Sequence, residues 1–569
     1  MKKRLDLAIS FFPLIAFIAV AATLLTPDAN AAAIRGIIKD DGGKPLRAAK
    51  ITATAGYRSI TGFTNNAGQY NLTGLKTDNY DVTATAWGYD QKQSSKLLSA
   101  DTEMNFTLAP KWDVGQLTTA EWLTALPRND DTLKLEASCV RCHTLSWIVK
   151  DAGLTAQQWV PRILAMGDAF VTPHMNKDDA VVLSAILEKY FGPNSPVPMR
   201  EQVRHTEMSD AALRATIREY KPPTKSMIHS VMPDSKGFVW FAEFDKRSGK
   251  LGRLHVASEE IQEIAMPASW RRPNIPWEGR DGTIWISQIS SKADVGKSGD
   301  DKRLASVDPQ TGKITEYATP EGMSCGHTIR DDPQGNIWCT YDPKAQLVRF
   351  NPHTKAFTYF DVPKPPSIPD IFYKTVYFRP PDLKAEKWSV EETRSASPII
   401  YDESVDADGN VWYTLYEFGF IGRLDPKTGK SKLYQIPNAG RIKGVDVGKD
   451  GNIWFGNALG HTLGKLDPKT GEIEQYKPPT PYAAFYTPVY GAADKSKKAE
   501  VWLSDWAGSQ MTRFNPATKE FTEYPLPKPN QIVRFFGVDP QGRVWYGDTE
   551  GVVGMLDPGD TSAAPSHRN

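Results

Sequence analysis

The sequence predicts a mainly β multidomain protein that consists of a small β-sandwich, a short all-α domain and a seven-bladed β-propeller. Its 569 residues are enough for several buried cores. Three observations carry this prediction. Strand-like alternation with Gly-rich turns covers residues 34–111, apolar residues recur at helical spacing within 116–191, and a motif of Gly and Trp recurs after residue 225.

Composition and charge exclude several classes of protein. Charged residues make up 24% of the chain and hydrophobic residues 40%, which is typical of a globular protein and not of a disordered, collagenous or polytopic membrane protein. The chain has 68 Lys and Arg against 67 Asp and Glu, a formal net charge of +1. This balance leaves no basic excess for nucleic acid, so we expect no nucleic-acid partner.

Residues 1–31 are predicted to be a cleaved signal peptide. Three basic residues (2–4) precede an apolar run (7–25), and Ala29-Asn30-Ala31 provides a small-residue cleavage site. We therefore expect a periplasmic protein, in a compartment that permits disulfides. The run is also long enough for an uncleaved anchor, and only in that case would the protein associate with a membrane.

Residues 32–111 are predicted to form the β-sandwich. Turn residues at 42–46 and 65–68 separate short strands, and residues 80–86 alternate as a half-buried strand does. The segment resembles the carboxypeptidase regulatory-like domain in Gly43-x-Pro45-Leu46, Gly68-x-Tyr70-x-Leu72 and Tyr80-x-Val82, ending at Gly88-Tyr89. The resemblance implies a structural or interaction module without catalytic residues.

Residues 112–200 are predicted to be helical and contain a haem-attachment motif. Cys139, Cys142 and His143 form Cys-x-x-Cys-His, in which two thiols on one helical turn bind the haem vinyl groups and the imidazole binds iron. A zinc site would need further ligands, and no other Cys lies within 180 residues. We therefore predict one covalent haem c.

The second axial ligand of the haem iron is expected to be a Met or a His. Met166 follows Trp159 in a predicted helix, before a final helix that ends at Tyr190-Phe191, and this arrangement resembles single-haem cytochrome c domains. The resemblance implies that Met166 is the ligand. Met166 could instead be a core residue, in which case Met175 or His174 would take its place.

Residues 201–560 are predicted to form the propeller, followed by a tail at 561–569. Successive motif Trp residues lie 42–53 positions apart, apart from one gap of 74 that contains an insertion at about 364–396, and this is the period of a four-stranded blade. A seventh copy, Glu500-Val-Trp502, lacks the Gly. The other six copies are Gly237–Trp240, Gly282–Trp285, Gly335–Trp338, Gly409–Trp412, Gly451–Trp454 and Gly542–Trp545.

The ends of the repeat predict how the ring closes. The chain runs out after Asp557-Pro558, so the last blade lacks its fourth strand. A strand-like segment, 217–223, precedes the first blade and resembles the strands that end the others. We expect this segment to supply the missing strand and to leave no open edge.

Two fixed offsets in the repeat predict side chains that face the central channel. Eight residues before each motif Gly stand His229, Asn274, His327, Tyr401, Lys443 and Arg534. Three residues after each motif Trp stand Glu243, Gln288, Tyr341, Leu415, Asn457, Asp505 and Asp548. Strand alternation alone predicts some polarity here, so a functionless wet pore is the alternative to a binding site.

The blades resemble the virginiamycin B lyase (streptogramin lyase) family. The resemblance is carried by Trp240-Phe241-Ala242-Glu243, Ile421-Gly422-Arg423-Leu424-Asp425-Pro426 and Gly451-Asn452-Ile453-Trp454-Phe455. It implies elimination from a cyclic ester with a His base and a Mg²⁺ ion near a Glu. His229 and Glu243 match that pair, whereas His327 is followed by Tyr341 where a Glu is expected. These four are the predicted catalytic residues.

Cys325 and Cys339 belong to one blade and flank His327 in the sequence. They could form a disulfide between neighbouring strands or remain buried thiols.

Three functions are compatible with the sequence. The first is a periplasmic haem c oxidoreductase or electron-transfer protein, which would bind an unidentified small-molecule substrate on the propeller and exchange electrons with a redox partner protein. The second is a Mg²⁺-dependent C–O lyase with an appended cytochrome module. The third is a non-catalytic binding protein. The haem motif ranks the first above the second, because an elimination needs no redox centre.

Overall fold

The protein is mainly β and multidomain, with a propeller-like region and five α-helices among its described residues. A computed structural model describes residues 32–140, 144–150, 152–169, 177–244, 249–267, 270, 272–288, 304–319, 325–341, 346–363, 365, 400–416, 418–490 and 499–559. The predicted signal peptide, the tail and nearly all of the insertion lie outside these residues. Within the described ranges, no helix has the length and apolarity needed to cross a membrane.

The N-terminal domain is built from eight strands, as the alternating sequence predicts. β1 pairs antiparallel with β4 and parallel with β7 and β8, while β2 pairs with β3 and β5, and β5 with β6. The core between the sheets contains Ile34, Ile38, Ile51, Leu72, Val82 and Leu108. The strands are β1 (Ala32–Asp40), β2 (Lys50–Ala55), β3 (Arg58–Phe63), β4 (Gln69–Leu75), β5 (Asp78–Thr85), β6 (Lys92–Leu98), β7 (Thr102–Glu103) and β8 (Phe106–Leu108).

The helical domain follows, and its first two helices begin at capping boxes, which satisfy the free N–H groups of a helix start. Thr118 and Glu121 form one box, and Asn129 and Thr132 the other. The helices are α1 (Thr119–Ala125), α2 (Asp130–Cys139), α3 (Ser146–Lys150), α4 (Ala156–Ala169) and α5 (Lys177–Phe191). Short 3-10 helices span Val114–Gln116, Arg200–Gln202 and Ala212–Arg214. The shared core contains Trp122, Leu135, Trp159, Ile163, Leu183 and Leu187.

The propeller-like region is built from the remaining strands. Their bounds are β9 (Thr216–Tyr220), β10 (Ile228–Pro233), β11 (Phe238–Glu243), β12 (Lys250–His255), β13 (Glu260–Ala265), β14 (Pro273–Glu278), β15 (Ile284–Gln288), β16 (Leu304–Val307), β17 (Ile314–Tyr317), β18 (Ile329–Asp331), β19 (Ile337–Tyr341), β20 (Gln346–Phe350), β21 (Phe357–Asp361), β22 (Ile400–Val405), β23 (Val411–Leu415), β24 (Phe420–Asp425), β25 (Lys430–Gln435), β26 (Ile442–Val447), β27 (Ile453–Asn457), β28 (Thr462–Leu466), β29 (Ile473–Tyr476), β30 (Phe485–Val489), β31 (Val501–Asp505), β32 (Gln510–Asn515), β33 (Glu520–Pro525), β34 (Val533–Val538), β35 (Val544–Asp548) and β36 (Val553–Asp557).

These strands form antiparallel sheets whose first strands meet in a ring. Five of the sheets have four strands that follow chain order: β14–β17, β18–β21, β22–β25, β26–β29 and β30–β33. Strands β10–β13 pair in the same way. The first strands contact one another in succession, from β10 to β14, β18, β22, β26, β30 and β34, and β34 contacts β10. A closed ring of first strands is what surrounds a propeller channel.

The predicted closing strand is present. β9 lies beside β36 in antiparallel register, with Ile217 opposite Leu556, so the last sheet is completed by the segment that precedes the first. The other edge of β9 pairs with β3, with Ile60 opposite Arg218. The sandwich therefore extends a sheet of the propeller-like region, and no strand edge of β9 remains unpaired.

The recurring Trp has a structural role that explains its motif. In four of the sheets its indole N–H donates to an Asp six residues earlier, which also accepts backbone N–H groups of the turn between the first two strands. The Trp–Asp pairs are Trp240–Asp234 (2.8 Å), Trp338–Asp332 (3.0 Å), Trp412–Asp406 (3.0 Å) and Trp545–Asp539 (2.9 Å). The Asp thus fixes the turn and satisfies a buried donor.

We predict that Asp234→Ala lowers the midpoint of thermal unfolding by about 3–6 °C, because a buried indole N–H without an acceptor costs about 1–3 kcal/mol. Asp450→Ala is the matched control, since Asp450 is exposed and its described hydrogen bonds are confined to its own turn, from the backbone N–H and Nδ2 of Asn452. Intrinsic fluorescence measures both midpoints. Equal midpoints for the two variants would contradict the role of the Asp.

Candidate functional site

Polar side chains converge where the first strands begin. In six sheets the second residue of the first strand lies in a β-bulge, where two residues oppose one on the neighbouring strand. A bulge turns its side chain out of the regular ladder. The bulged residues are His229, Asn274, Tyr401, Lys443, Tyr486 and Arg534, and His327 stands just before β18.

Two buried imidazoles form the centre of this cluster, hereafter the His229–His327 pair. Their ring centroids are 6.2 Å apart, and the Phe535 ring lies 5.8 Å from the first and 5.6 Å from the second. Nδ1 of His229 shares a hydrogen bond with Ser230 Oγ (2.8 Å). Asn274 fixes the other backbone, because its Nδ2 donates to the carbonyl of His327 (2.5 Å).

Aromatic rings continue the cluster on one side of His327. The Tyr401 ring lies 4.2 Å from the His327 ring, and the Tyr401 and Tyr486 hydroxyls are hydrogen-bonded. Nζ of Lys443 lies 4.4 Å from the Tyr486 centroid and 3.1 Å from that of Trp506. The ammonium is thus held against ring faces, where a buried cation is stabilised.

Burial keeps both imidazoles neutral. The pKa of His327 is lowered to about 3, mainly by burial and also by the positive charges of Arg534 and Lys443. A backbone hydrogen bond to Tyr401 acts in the opposite direction. Burial also lowers the pKa of His229 well below its usual value, assisted by Arg534 and His327. The same burial raises the pKa of Tyr401, so its phenol stays protonated. Near neutral pH the pair offers unprotonated nitrogens.

A backbone hydrogen bond to Tyr401 raises the pKa of His327 and so works against the effect of burial. Nδ1 is buried and has no hydrogen-bond partner among the described residues. Because the imidazole is neutral, Nδ1 is the ring nitrogen that a ligand could engage in proton transfer.

Six members of the second predicted ring, all except Tyr341, do not join this cluster. They end the second strands, where they lie directly opposite the first residue of the first strand, as Glu243 does with Ile228. Residues directly opposite each other share a face, so these side chains are separated from the bulged ones. Several instead accept backbone N–H groups of the next turn: Asn457 from Gly460, Asp505 from Ala507 and Asp548 from Glu550.

The structure therefore places Glu243 away from His229. Burial and the neighbouring Glu263 carboxylate together raise the pKa of Glu243 to about 8, although the positive charge of Lys250 opposes them. Lys250 is ion-paired with Glu263. The ammonium of Lys250 beside the Glu243 and Glu263 carboxyls does not suit Mg²⁺, which needs several anionic or neutral oxygens. Across the described residues, no cluster of three or more His, Cys, Asp or Glu could hold a metal ion.

The other predicted site residues are only partly described. Tyr341 ends β19, but its side chain lies outside the description. Cys139 is the last residue of α2, whereas Cys142, His143, His174 and Met175 fall outside the described residues. Met166 lies in α4, as its spacing from Trp159 predicts, and its side chain is likewise not described. Haem attachment therefore remains a prediction.

The helical domain lies against the same end of the channel as the His229–His327 pair. The N–H of Ala120 in α1 donates to the carbonyl of Ala507 (2.8 Å), next to Trp506. Oε1 of Glu136 in α2 lies 2.9 Å from Nε2 of His461. Burial by itself would raise the pKa of Glu136. The hydrogen bonds and charges of His461 and Arg128 have a larger combined effect, so the pKa of Glu136 is lowered.

The contact continues to the residue that follows Cys139. Val140 lines a small cavity together with Lys443 and Trp506. Val140, at the end of the described part of this segment, thus shares a cavity wall with the Lys443 and Trp506 side chains that border the His229–His327 pair. Nothing in the sequence of the helical domain predicts this contact.

Two members of the cluster, Tyr486 and Trp506, were not found from the sequence. Tyr486 occupies the bulged position of β30, but the connection from β30 to β31 is longer than in the other sheets and carries no motif Gly. The strand pattern could have predicted Tyr486, because Phe485 and Tyr486 begin β30 as Ile228 and His229 begin β10.

The open question about the two remaining cysteines is answered. Cys325 and Cys339 form a disulfide, with Cα atoms 5.3 Å apart. It joins the chain just before His327 to β19 and so restrains the approach to β18.

Comparisons with known proteins agree with two parts of this description. The virginiamycin B lyase family model matches residues 384–559, and the carboxypeptidase regulatory-like domain model matches residues 33–109. The chain thus carries a virginiamycin B lyase-like β-propeller and a carboxypeptidase regulatory-like domain. No curated protein of similar sequence was found.

Solved structures of similar fold include three lyases. A streptogramin B lyase is 22% identical (TM-score 0.48), with 61% of this chain and 99% of that chain covered. Virginiamycin B lyase from Staphylococcus aureus is 18% identical (TM-score 0.46; 60% and 99% covered). A catalytically inactive His-to-Ala variant of that enzyme with quinupristin is also 18% identical (TM-score 0.47; 60% and 99% covered).

We predict that His327 stays neutral down to about pH 3 in the folded protein, because burial disfavours the imidazolium. Histidine-selective NMR against pH measures this, and His327→Gln assigns the signal. In the unfolded chain the imidazole takes up a proton near pH 6.5, so the folded state loses stability as the pH falls from 6.5 towards 3. A midpoint near 6.5 in the folded protein would contradict the buried, neutral assignment.

Proposed function

We propose that the chain is a C–O lyase of the virginiamycin B lyase kind, with its reactive site at the His229–His327 pair. We further propose that the propeller has seven blades, counted from the ring of first strands and closed by β9. The observation that carries the functional proposal is a buried imidazole, His327, whose Nδ1 has no hydrogen-bond partner among the described residues. The match of residues 384–559 to the lyase family supports it.

The proposed reaction is a β-elimination from an ester. Nδ1 of His327 accepts a proton from the carbon next to a carbonyl, the electron pair forms a C=C bond, and the C–O bond breaks to release a carboxylate. A pKa of about 3 makes the free imidazole a weak base. Negative charge that develops on the substrate beside it stabilises the imidazolium, so proton transfer becomes favourable as the reaction proceeds.

Other residues of the cluster have supporting roles in this proposal. Arg534 and Lys443 are cations close enough to His327 to shift its pKa, and they would stabilise the developing enolate and carboxylate. Ser230 and Asn274 hold the two His residues in place. No step is assigned to Mg²⁺ or to Glu243, because the Glu243 site does not suit that ion. Tyr341 stays a predicted site residue without an assigned step.

A second function is favoured by the contact of α2 with the propeller. Cys139, Cys142 and His143 are the donor set that attaches haem c, with Met166, Met175 or His174 as the second axial ligand. A haem held there would supply one-electron transfer. Because Val140 meets Lys443 and Trp506, this domain would exchange electrons between a channel ligand and a redox partner protein. Export to the periplasm with a cleaved signal peptide belongs to the same proposal.

We predict that the protein opens quinupristin, the compound in the structure of the related lyase, to a product of unchanged mass. Elimination conserves mass, whereas hydrolysis adds one water, so liquid chromatography with mass spectrometry separates the two reactions. His327→Ala should lower the rate about 10²–10⁴-fold, since it removes the base.

His255→Ala is the matched control for this experiment, because His255 lies on β12, the third strand of its sheet, and its side chain hydrogen-bonds only Ser258 among the partners described. Full activity in His327→Ala, or a product that has gained water, would contradict the lyase proposal.

We predict that the protein carries one covalent haem when it is exported in a host with c-type cytochrome maturation. The mass of the denatured chain and the pyridine haemochrome spectrum detect it. The double variant Cys139→Ala/Cys142→Ala should lose the added mass, whereas Cys325→Ala/Cys339→Ala, which removes the disulfide instead, should keep it. A wild-type chain without added mass would rule out the haem.

A further inference from the structure

A cavity of about 420 Å³ lies at the far end of the first strands from the His229–His327 pair. Its wall includes Pro233, Glu278 and Arg280, which lie at or just beyond the ends of β10 and β14. The helical domain contacts the opposite end of the channel, near Lys443 and Trp506. The cavity is of the size that small-molecule sites have.

Most of the wall is apolar. Phe535 belongs to the wall, and its ring centroid is within 6 Å of both imidazoles of the His229–His327 pair. The other apolar side chains are contributed by five first strands: Val231, Met232, Pro233, Ile275, Pro276, Trp277, Val405, Val489, Phe536 and Val538. A ligand that fills this space must therefore have a mainly apolar body.

The acidic groups of the wall already have hydrogen-bond donors. Asp446 accepts from Ser404 Oγ (2.9 Å), the Val447 N–H (3.0 Å) and the Tyr490 N–H (2.5 Å). Asp331 accepts from the Trp277 indole (2.9 Å) and lies 3.2 Å from Arg280 Nε. Burial raises the pKa of Asp446 to about 7, so its negative charge is only partial near neutral pH.

Two donors of the wall are left without partners. Arg330 is 8% exposed; its guanidinium lies 4.6 Å above the Trp277 ring and donates to the Ile329 carbonyl (2.8 Å). Its Nε has no acceptor among the described residues, and the same holds for Oγ1 of Thr487, which is 2% exposed. Buried donors are nearly always paired, and a charged one without an acceptor is costly.

We propose that this cavity binds a small monocarboxylate with an apolar or aromatic body, a ligand distinct from the substrate at the His229–His327 pair. The carboxylate meets the guanidinium of Arg330, the Thr487 side chain lines the same cavity, and the body packs against Phe535 and Ile275. Arg330 is already oriented by the Trp277 ring, by Ile329 and by Asp402, whose Oδ1 is 3.7 Å away. A pre-oriented donor loses little entropy on binding.

Isothermal titration calorimetry with phenylacetate, 3-phenylpropionate and octanoate, each compared with its neutral amide, tests the site on the full-length protein. At least one carboxylate should bind with a dissociation constant about tenfold or more below that of its amide, because the amide loses the charge-assisted bond to Arg330. Equal affinity for acid and amide in all three pairs, or no binding at millimolar concentrations, would overturn the proposal.

Variants locate the site. Arg330→Gln should weaken the carboxylate about tenfold or more, and Thr487→Val, which keeps the side-chain shape, about three- to tenfold. Arg349→Gln is the matched control: Arg349 belongs to the same sheet, stacks on Trp338 and does not line the cavity, so the affinity should not change. If Arg330→Gln fails to fold, Thr487→Val decides, and unchanged affinity in a folded variant of either residue would overturn the assignment.

His327→Ala separates this site from the proposed lyase site. It should leave carboxylate binding unchanged while it removes ester elimination, because His327 does not line the cavity. Loss of carboxylate binding in His327→Ala would overturn the proposal that the two ligands have separate sites.

Discussion

The β-bulge at the second residue of six first strands is the constraint on which most of the candidate site depends. A regular antiparallel ladder would keep that side chain on the face opposite to its neighbours, within the stack of sheets. The bulge turns it out instead, and it recurs in six sheets at the same register. Because the first strands form a closed ring, the repeated distortion collects His229, Tyr401, Lys443 and Tyr486 at one end of the channel.

Burial then sets the chemistry of the collected groups. Because these side chains are buried, the imidazoles of His229 and His327 are neutral and the phenol of Tyr401 is protonated near neutral pH. Lys443 remains accommodated because Trp506 and Tyr486 offer ring faces to its ammonium. The helical domain covers the same end through Ala120 and Val140, so the lyase-like region and the predicted haem motif meet at one place.

The sequence predicts those features that repeat. The motif Trp and the offset of eight residues before the motif Gly recur with the blade period, which is why His229, His327, Tyr401 and Lys443 could be placed together beforehand. Glu243 was expected beside His229 because both lie on inner strands. Glu243 is instead paired directly with Ile228, the residue before His229, so the two side chains lie on different faces, and no residue type marks this register. Tyr486 was missed because its connection departs from the repeat.

Contacts between domains could not be predicted in this way. The β3–β9 pairing joins the sandwich to the propeller-like region through backbone hydrogen bonds, which carry little side-chain signature. The contact of α1 with Ala507 is likewise a backbone hydrogen bond. The cavity lined in part by Phe535 depends on side chains from several sheets, such as Arg330 and Thr487, and these are brought together only when the ring closes.

The central claim is that the bulged ends of the first strands and the helical domain together form one ligand site. Hydrogen–deuterium exchange of the intact protein, with and without quinupristin, tests it most directly. The account predicts slower exchange in two places: the starts of β10, β22 and β26, and the α1–α2 segment that covers them. Protection confined to the far end of the channel, or to the propeller-like region without α1 and α2, would contradict the claim.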